Sequence, residues 1–286
     1  MGYRLGLVLE GGGLRGTYTI GVLDELMRQE IWADYVIGVS AGACHGSSYV
    51  SRQIGRAYRI NVGHVRDPRY LSVGNFLRTR SLFGMDFLFR EIPTTLEPFD
   101  DAAFQASPSA FVAGVTDLRT GEPVYFGKRP FDEQMRVLAA SSSIPVFSPP
   151  VEIGGGLYLD GGTSDPIPVG KALEDGCERV IVVRTRHRDY VKPPEGFRAV
   201  YRRTLRDYPE MIALLDRRHE IYRRTVARID QLEREGRALV IAPRQPLQVG
   251  RFERDVSKLE ALARLGEEDV RRQLAAIRAF VGEGSR

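Results

Sequence analysis

The chain is poor in the residues that staple or metallate small proteins. Its 286 residues include two cysteines, Cys44 and Cys177, and four histidines. Two distant cysteines give neither a disulfide framework nor zinc-ligand spacing, so no metal is expected, and they suit a reducing compartment. No apolar run approaches the roughly 20 residues of a membrane span. The start, Met1-Gly-Tyr-Arg-Leu-Gly6, lacks the long apolar stretch of a secretory leader and has Gly6 where a myristoylation motif needs Ser or Thr. These absences lead to the expectation of a cytoplasmic protein, peripheral at most to the inner membrane surface. Internal repeats and low-complexity tracts are also missing. The hydrophobic fraction of 43% is ordinary for a globular chain long enough to bury a substantial core.

The charge that is present is unevenly placed. The formal net charge is +4, yet between residues 52 and 90 stand Arg52, Arg56, Arg59, Arg66, Arg69, Arg78, Arg80 and Arg90 against Asp67 and Asp86 alone. Aromatic residues interleave with them: Tyr58, Tyr70, Phe76, Phe83, Phe87 and Phe89. Such a mixture fits an interfacial surface for an anionic membrane. It also fits core aromatics with solvated arginines, the plainer reading. Nucleic acid is not an expected partner, because no nucleic-acid module surrounds the patch.

Strand, glycine loop and helix follow one another at the start. Residues 4–9 read as a short strand, the loop Glu10-Gly-Gly-Gly-Leu-Arg-Gly16 follows, and Ile20, Leu23, Leu26 and Met27 mark a helix running to about Gln29. A second strand at 35–39 ends in Gly38-Val-Ser-Ala-Gly42, and a small, polar helix start comes next. Two such units in 50 residues argue a parallel sheet with crossover helices. Gly11-x-Gly13-x-x-Gly16 also fits a dinucleotide fingerprint, but the acidic residue that would hold the ribose at the end of the second strand is replaced by Val39-Ser40. No Gly-Lys-Ser/Thr follows, so the loop is not a Walker loop, and no cofactor is expected. What such a loop does offer is inward-pointing N–H groups at the positive end of a helix, the physics of an oxyanion site.

G-x-S-x-G on a strand-to-helix turn pushes a serine out of the backbone, and small residues two before and two after permit the bend. Ser40 is therefore a candidate nucleophile. Two β runs, 110–116 and 123–126, read as a hairpin; 131–140 reads as a helix broken at Ala140-Ser-Ser-Ser-Ile-Pro145, whose serines lack a glycine elbow. A strand at 157–160 delivers Asp160 into Gly161-Gly162, and 179–184 is an apolar strand of the buried parallel kind. Composition shifts after Pro193-Pro194. Residues 212–232 form one long amphipathic helix, 238–242 a strand, and the stripes Leu259-Leu262-Leu265 and Val270-Leu274-Ile277-Val281 two closing helices. The division expected is a core at 1–190 and a helix-strand-helix extension at 191–286 packed on it.

The base that would serve Ser40 is open between two residues. His187 follows the 179–184 strand and gives the order Ser40, Asp160, His187 of α/β-hydrolases. Asp160 could instead take the serine proton directly. Against the histidine stands the architecture: several strands precede the nucleophile in that fold, and here one does. His45, His64 and His219 read as structural.

The three blocks Gly11-Gly-Gly-Leu-Arg-Gly16, Gly38-Val-Ser-Ala-Gly42 and Asp160-Gly-Gly162, in that order, resemble the patatin-like phospholipase family in its bacterial branch, over about residues 4–186. The resemblance implies a three-layer α/β/α sandwich with a central, mainly parallel sheet, followed by a C-terminal helical extension. It implies hydrolysis of acyl esters of lipids through a Ser-Asp dyad and an acyl-serine intermediate, without metal. Ser40 would be the nucleophile, Asp160 the base, and the loop of Gly11, Gly12, Gly13 and Leu14 the oxyanion site, with Arg15 fixing that loop or an anionic substrate. The contrasting expectation is a lipid-surface binding or regulatory protein with a vestigial acyl site, making its contact through the Arg-rich segment.

Overall fold

The computed structural model describes residues 3–282. A single mixed sheet forms its middle layer. The strands are β1 (Tyr3–Leu9), β2 (Tyr35–Val39), β3 (Ala110–Asp117), β4 (Pro123–Phe126), β5 (Val151–Ile153), β6 (Gly156–Asp160), β7 (Cys177–Val183) and β8 (Ala238–Ile241), linked by hydrogen bonds in the order β5-β6-β3-β2-β1-β7-β8 with β4 also on β3. The run β3-β2-β1-β7-β8 is parallel, whereas β4, β5 and β6 join by antiparallel pairing. Strand alternation assigns the two faces. Leu5, Leu7, Leu9, Ile181 and Val183 point into one apolar layer, Val8, Val180 and Val182 into the other. Burial on both faces explains why these strands read as continuous apolar runs.

One face is covered by α1 (Thr17–Arg28), α2 (Ala41–Val50), α6 (Phe131–Ser141) and α10 (Val256–Val281), the other by α7 (Val169–Glu174) and α9 (Pro209–Arg234). The result is a three-layer α/β/α sandwich whose C-terminal part is mostly helical. That part is woven in: β8 extends the sheet beside β7, and α10 lies along α1. The two closing helices expected from the sequence are one helix of 26 residues. The polar stretch between the two apolar stripes does not interrupt it, because Gly266 lies against the α1 backbone and Asp269 accepts a 2.7 Å hydrogen bond from Tyr18. A Cβ on Gly266 would stand 2.2 Å from the Tyr18 carbonyl oxygen, so glycine here permits close helix packing.

Residues 52–100 form short pieces: α3 (Arg56–Tyr58), a π-helical turn at Arg59–Gly63, α4 (Val73–Thr79), and a wider π turn at Phe87–Leu96 that accommodates Pro93. After it come α5 (Asp101–Ala106) and, beyond residue 190, α8 (Arg198–Thr204). Among the described residues no helix is long and apolar enough to cross a membrane.

Candidate active site

Register on β3 brings the two chemical landmarks together. Ala113 and Gly114 pair with both β2 and β4, so these occupy opposite edges of β3; Val115 and Thr116 pair with both β4 and β6, so these too are opposite. Strands β2 and β6 therefore share one edge, end to end and running toward each other. Val39 faces Gly114 and Asp160 faces Val115, consecutive residues of β3. Ser40 and Asp160, far apart in sequence, meet where the two strands stop.

Ser40 pays for its position with backbone strain. It sits at φ 54°, ψ −130°, outside the regions favoured by residues with a Cβ. The flanking glycines permit this: a Cβ on Gly38 would be 2.6 Å from the Gly42 carbonyl carbon, and one on Gly42 would be 2.5 Å from the Leu9 carbonyl oxygen. The Ser40 N–H donates to Ser141 Oγ at 2.8 Å, and Ser141 Oγ donates onward to the Gly114 carbonyl at 2.7 Å. Ser141 thus ties the elbow to β3, a role no local pattern in the triple-serine run reveals.

The Asp160 carboxyl is buried and receives hydrogen bonds from the Ser40 side chain and from the Gly162 N–H, the latter at 2.8 Å. Burial raises its pKa above the ordinary 3.8, opposed by those hydrogen bonds and by the charges of Arg218 and Arg251. Its strand end is held by Asp160 N–H to the Ser143 carbonyl and by Thr116 Oγ1 to the Asp160 carbonyl. From α9, the Arg218 guanidinium donates twice to the Gly162 carbonyl, at 2.9 and 2.7 Å.

The glycine loop lies against Ser40: a Cβ on Gly11 would approach the Ser40 Cβ to 3.1 Å. Glu10 anchors the loop, accepting from Tyr222 Oη at 2.8 Å and from the Thr185 N–H at 2.6 Å, while Thr185 Oγ1 donates to the Gly11 carbonyl. Gly13 takes φ +57°, and its neighbour Leu14 donates its N–H to the Arg251 carbonyl at 3.1 Å. The Leu14 amide is therefore committed within the protein. Arg15 is buried at 8% exposure and lines the same polar pocket.

No histidine hydrogen-bonds to Ser40 or Asp160 among the described residues. His187 packs on Tyr190 with ring centroids 6.0 Å apart and lines neither pocket that Ser40 borders. His45 is buried on the helix behind Ser40, its Nε2 has no partner, and burial pushes its pKa down to about 3. Cys44 is no rival nucleophile, since burial lifts its thiol to about 11. Among the described residues there is no cluster of three metal-ligating side chains.

Two pockets meet at Ser40. One is apolar, lined by Leu14, Ala57, Tyr70, Phe83, Leu88, Met135 and Leu138 among others. The other is polar and includes Asp160 and the glycine loop; Gly13, Ser40 and Ile144 border both. The aromatics of the Arg-rich segment, Tyr70, Phe83 and Phe89, thus line a cavity, and Arg56 is buried, donating to the Glu97 and Pro98 carbonyls and to Ser48.

Two sequence models match the chain. Residues 7–173 match the sequence model of patatin-like phospholipase, and residues 208–282 that of a domain of unknown function, DUF6363. The uncharacterized protein YjjU of Escherichia coli is 33% identical over 204 residues, covering 70% of this chain and 57% of its own length. An uncharacterized NTE family protein of Mycobacterium tuberculosis is 27% identical over 187 residues, 63% of this chain and 48% of its own. Lysophospholipase NTE1 of Saccharomyces cerevisiae is 28% identical over 200 residues, only 11% of its length. The chain thus spans about half the length of the first two relatives. In fold, the crystal structure of VipD from Legionella pneumophila aligns with a TM-score of 0.50 at 12% identity, covering 96% of this chain and 67% of that one.

Proposed function

This chain belongs to the patatin-like phospholipase family, and from that premise we propose that it is a serine acyl hydrolase that cleaves acyl esters of lipids, phospholipids among them, with Ser40 as nucleophile and Asp160 as base. The observation that carries the reading is the end-to-end meeting of β2 and β6, which sets the Ser40 hydroxyl against the Asp160 carboxyl at the junction of an apolar and a polar pocket.

In the first step Ser40 Oγ attacks the ester carbonyl as its proton passes to the Asp160 carboxylate. The carbonyl oxygen becomes an oxyanion facing the N–H groups of residues 11–13. Each such donor is worth about 3 kcal/mol of transition-state stabilisation. Collapse of the tetrahedral species breaks the bond to the alcohol, which takes the proton from Asp160 and leaves acyl-Ser40. Water then gives a proton to Asp160 and attacks the acyl carbon; the second collapse returns the proton to Ser40 Oγ and releases the fatty acid.

Exposed apolar and basic groups on and beside α4 support a peripheral contact with an anionic membrane. Val73 and Leu77 on α4 are 69% and 77% exposed, beside exposed Arg78 and Arg80, and the bridge Leu71 to Phe83 closes this excursion onto a residue of the apolar pocket. A fluorophosphonate probe is expected to label the protein at Ser40, and Ser40→Ala is expected to abolish labelling and ester hydrolysis. Salt-sensitive binding to anionic vesicles with no turnover on any acyl ester would replace this reading with that of a lipid-surface binding protein.

A further inference from the structure

Positive charge exceeds negative charge around the polar pocket. Arg15, Arg186, Lys192, Arg218 and Arg251 line it, against Glu10 and Asp160. A third carboxylate, Glu195, is shared between Lys192 at 2.6 Å and Arg218 at 2.8 Å. Glu10 is occupied by Tyr222 and Thr185, and Asp160 by Ser40 and Gly162. Arg15, Arg186 and Arg251 are thus left without a hydrogen-bonded or ion-paired carboxylate among the described residues. Arg15 is nine-tenths buried and its Nε has no partner. Arg186 stacks its face on Tyr190, 4.3 Å from the ring centroid, an arrangement that uses none of its N–H groups. The three repel one another: burial and then the charges of Arg186 and Arg251 lower Arg15 to about 10 against the opposing charge of Glu10, and burial and Arg218 lower Arg251 against Asp160 and Glu195, with Arg186 adding to the lowering. Arg15 is buried and Arg186 and Arg251 are half-buried; desolvating unpaired cations is costly, and an anion held between them offsets that cost.

We infer that this pocket receives a phosphate-class head group, gripped by Arg15, Arg186 and Arg251, while the acyl chain lies in the apolar pocket on the other side of Ser40. The assignment deepens the acyl-hydrolase reading and rests on it. Guanidinium forks match phosphate oxygens in pairs. Five cations against three carboxylates leave an excess close to the roughly 1.5 to 2 negative charges of a phosphate monoester. Arg15 alone of the three falls within the patatin-like match; Arg186 follows it, and Arg251 lies in the stretch matching the domain of unknown function. That C-terminal region thereby acquires a task, the choice of head group.

The test compares kcat/KM for a monoacylglycerol 3-phosphate and the monoacylglycerol of the same medium chain, both below their aggregation concentrations. The wild type is expected to favour the phosphate lipid by about tenfold or more, and Arg186→Gln/Arg251→Gln to bring the ratio near one. Arg186→Lys, which keeps the charge and loses the fork, should give an intermediate ratio, and thermal melting checks that each variant folds. A wild-type ratio near one overturns the assignment. So does an equal fall on both lipids in the double variant, which would place the arginines on the oxyanion instead. Inorganic phosphate supplies the other arm: if it raises the melting temperature and alters monoacylglycerol turnover while the phosphate lipid is not preferred, the pocket holds a free anion and no head group. Calorimetric titration of Ser40→Ala with the two lipids separates the two readings. Tighter binding of the phosphate lipid without acyl release in the wild type keeps the pocket and discards the hydrolase; acyl release with equal binding discards the pocket alone.

Discussion

The two walls of the Ser40 cleft differ in origin as well as in chemistry. The apolar wall is drawn from residues 13–144, packed between α2, α6 and the irregular segment before β3. Much of the polar wall comes from residues beyond 185 that reach back over the sheet: Tyr222 donates to Glu10, Arg218 to the Gly162 carbonyl, and the Arg251 carbonyl accepts from the Leu14 N–H. Apolar walls tolerate varied partners because dispersion and water exclusion are non-directional. A wall of guanidinium groups is selective, because each unpaired fork left in a buried site carries a penalty. On the proposed reading, chain length and head group would be read by separate parts of the chain, with Ser40 on the boundary.

The largest expected effect strikes what both walls share. Ser40→Ala and Asp160→Asn should each lower kcat on a p-nitrophenyl ester by about 10⁴-fold or more, measured against enzyme-free hydrolysis; residual turnover near wild type in either would remove the dyad. Filling the apolar wall comes next. Leu138→Trp should lower the ratio of kcat/KM for long over short acyl esters by roughly tenfold, since overpacking a buried site forces its neighbours to shift. An unchanged ratio would detach that cavity from the acyl chain.

Arg218→Ala removes two hydrogen bonds to Gly162 and a positive charge that lowers the Asp160 pKa. With Asp160 as the proposed base, activity needs the carboxylate and is lost as pH falls through the Asp160 pKa, which burial already sets above 3.8. The acid limb of kcat/KM is expected above the ordinary aspartate range in the wild type and higher still in Arg218→Ala, with kcat down roughly tenfold. A limb that does not move would make Arg218 a packing residue only. The smallest effect is expected for Ser141→Ala, which leaves the Ser40 N–H without its acceptor. A fall of roughly three- to tenfold in kcat with little change in KM, measured on the same ester, fits a loss of about 1 kcal/mol in positioning.

Much of this is legible in the amino-acid sequence. The strand-loop-helix units, the hairpin of β3 and β4, the long α9 and the strand β8 all carry local periodicity, and the three glycine-marked blocks lie on the turns where the sequence puts them. What escaped was whatever depends on partners remote in sequence. Continuity of α10 rests on the Tyr18 hydroxyl, which donates to Asp269, and on the α1 backbone, which packs against Gly266. The polar wall is scattered over positions 15, 186, 192, 218 and 251, which share no spacing. Within the Arg-rich segment, periodicity does not distinguish Arg56, buried against backbone carbonyls, from Arg59 and Arg69, which pair with carboxylates at the surface.

The meeting of β2 and β6 on one edge of β3 also has a meaning in time. Neither strand pairs with the other, so their ends come into register only after both have docked on β3, and β6 follows β2 by more than a hundred residues. Loop closure on that scale is among the slower events in forming a sheet. A compact chain with β1 and β2 in place but β6 undocked would have its elbow and its glycine loop and yet no Asp160 beside Ser40. On refolding, the proposed esterase activity is expected to return after helical signal and in step with burial of the β3–β6 pair, so that turnover would serve as a clock for the last stage of assembly.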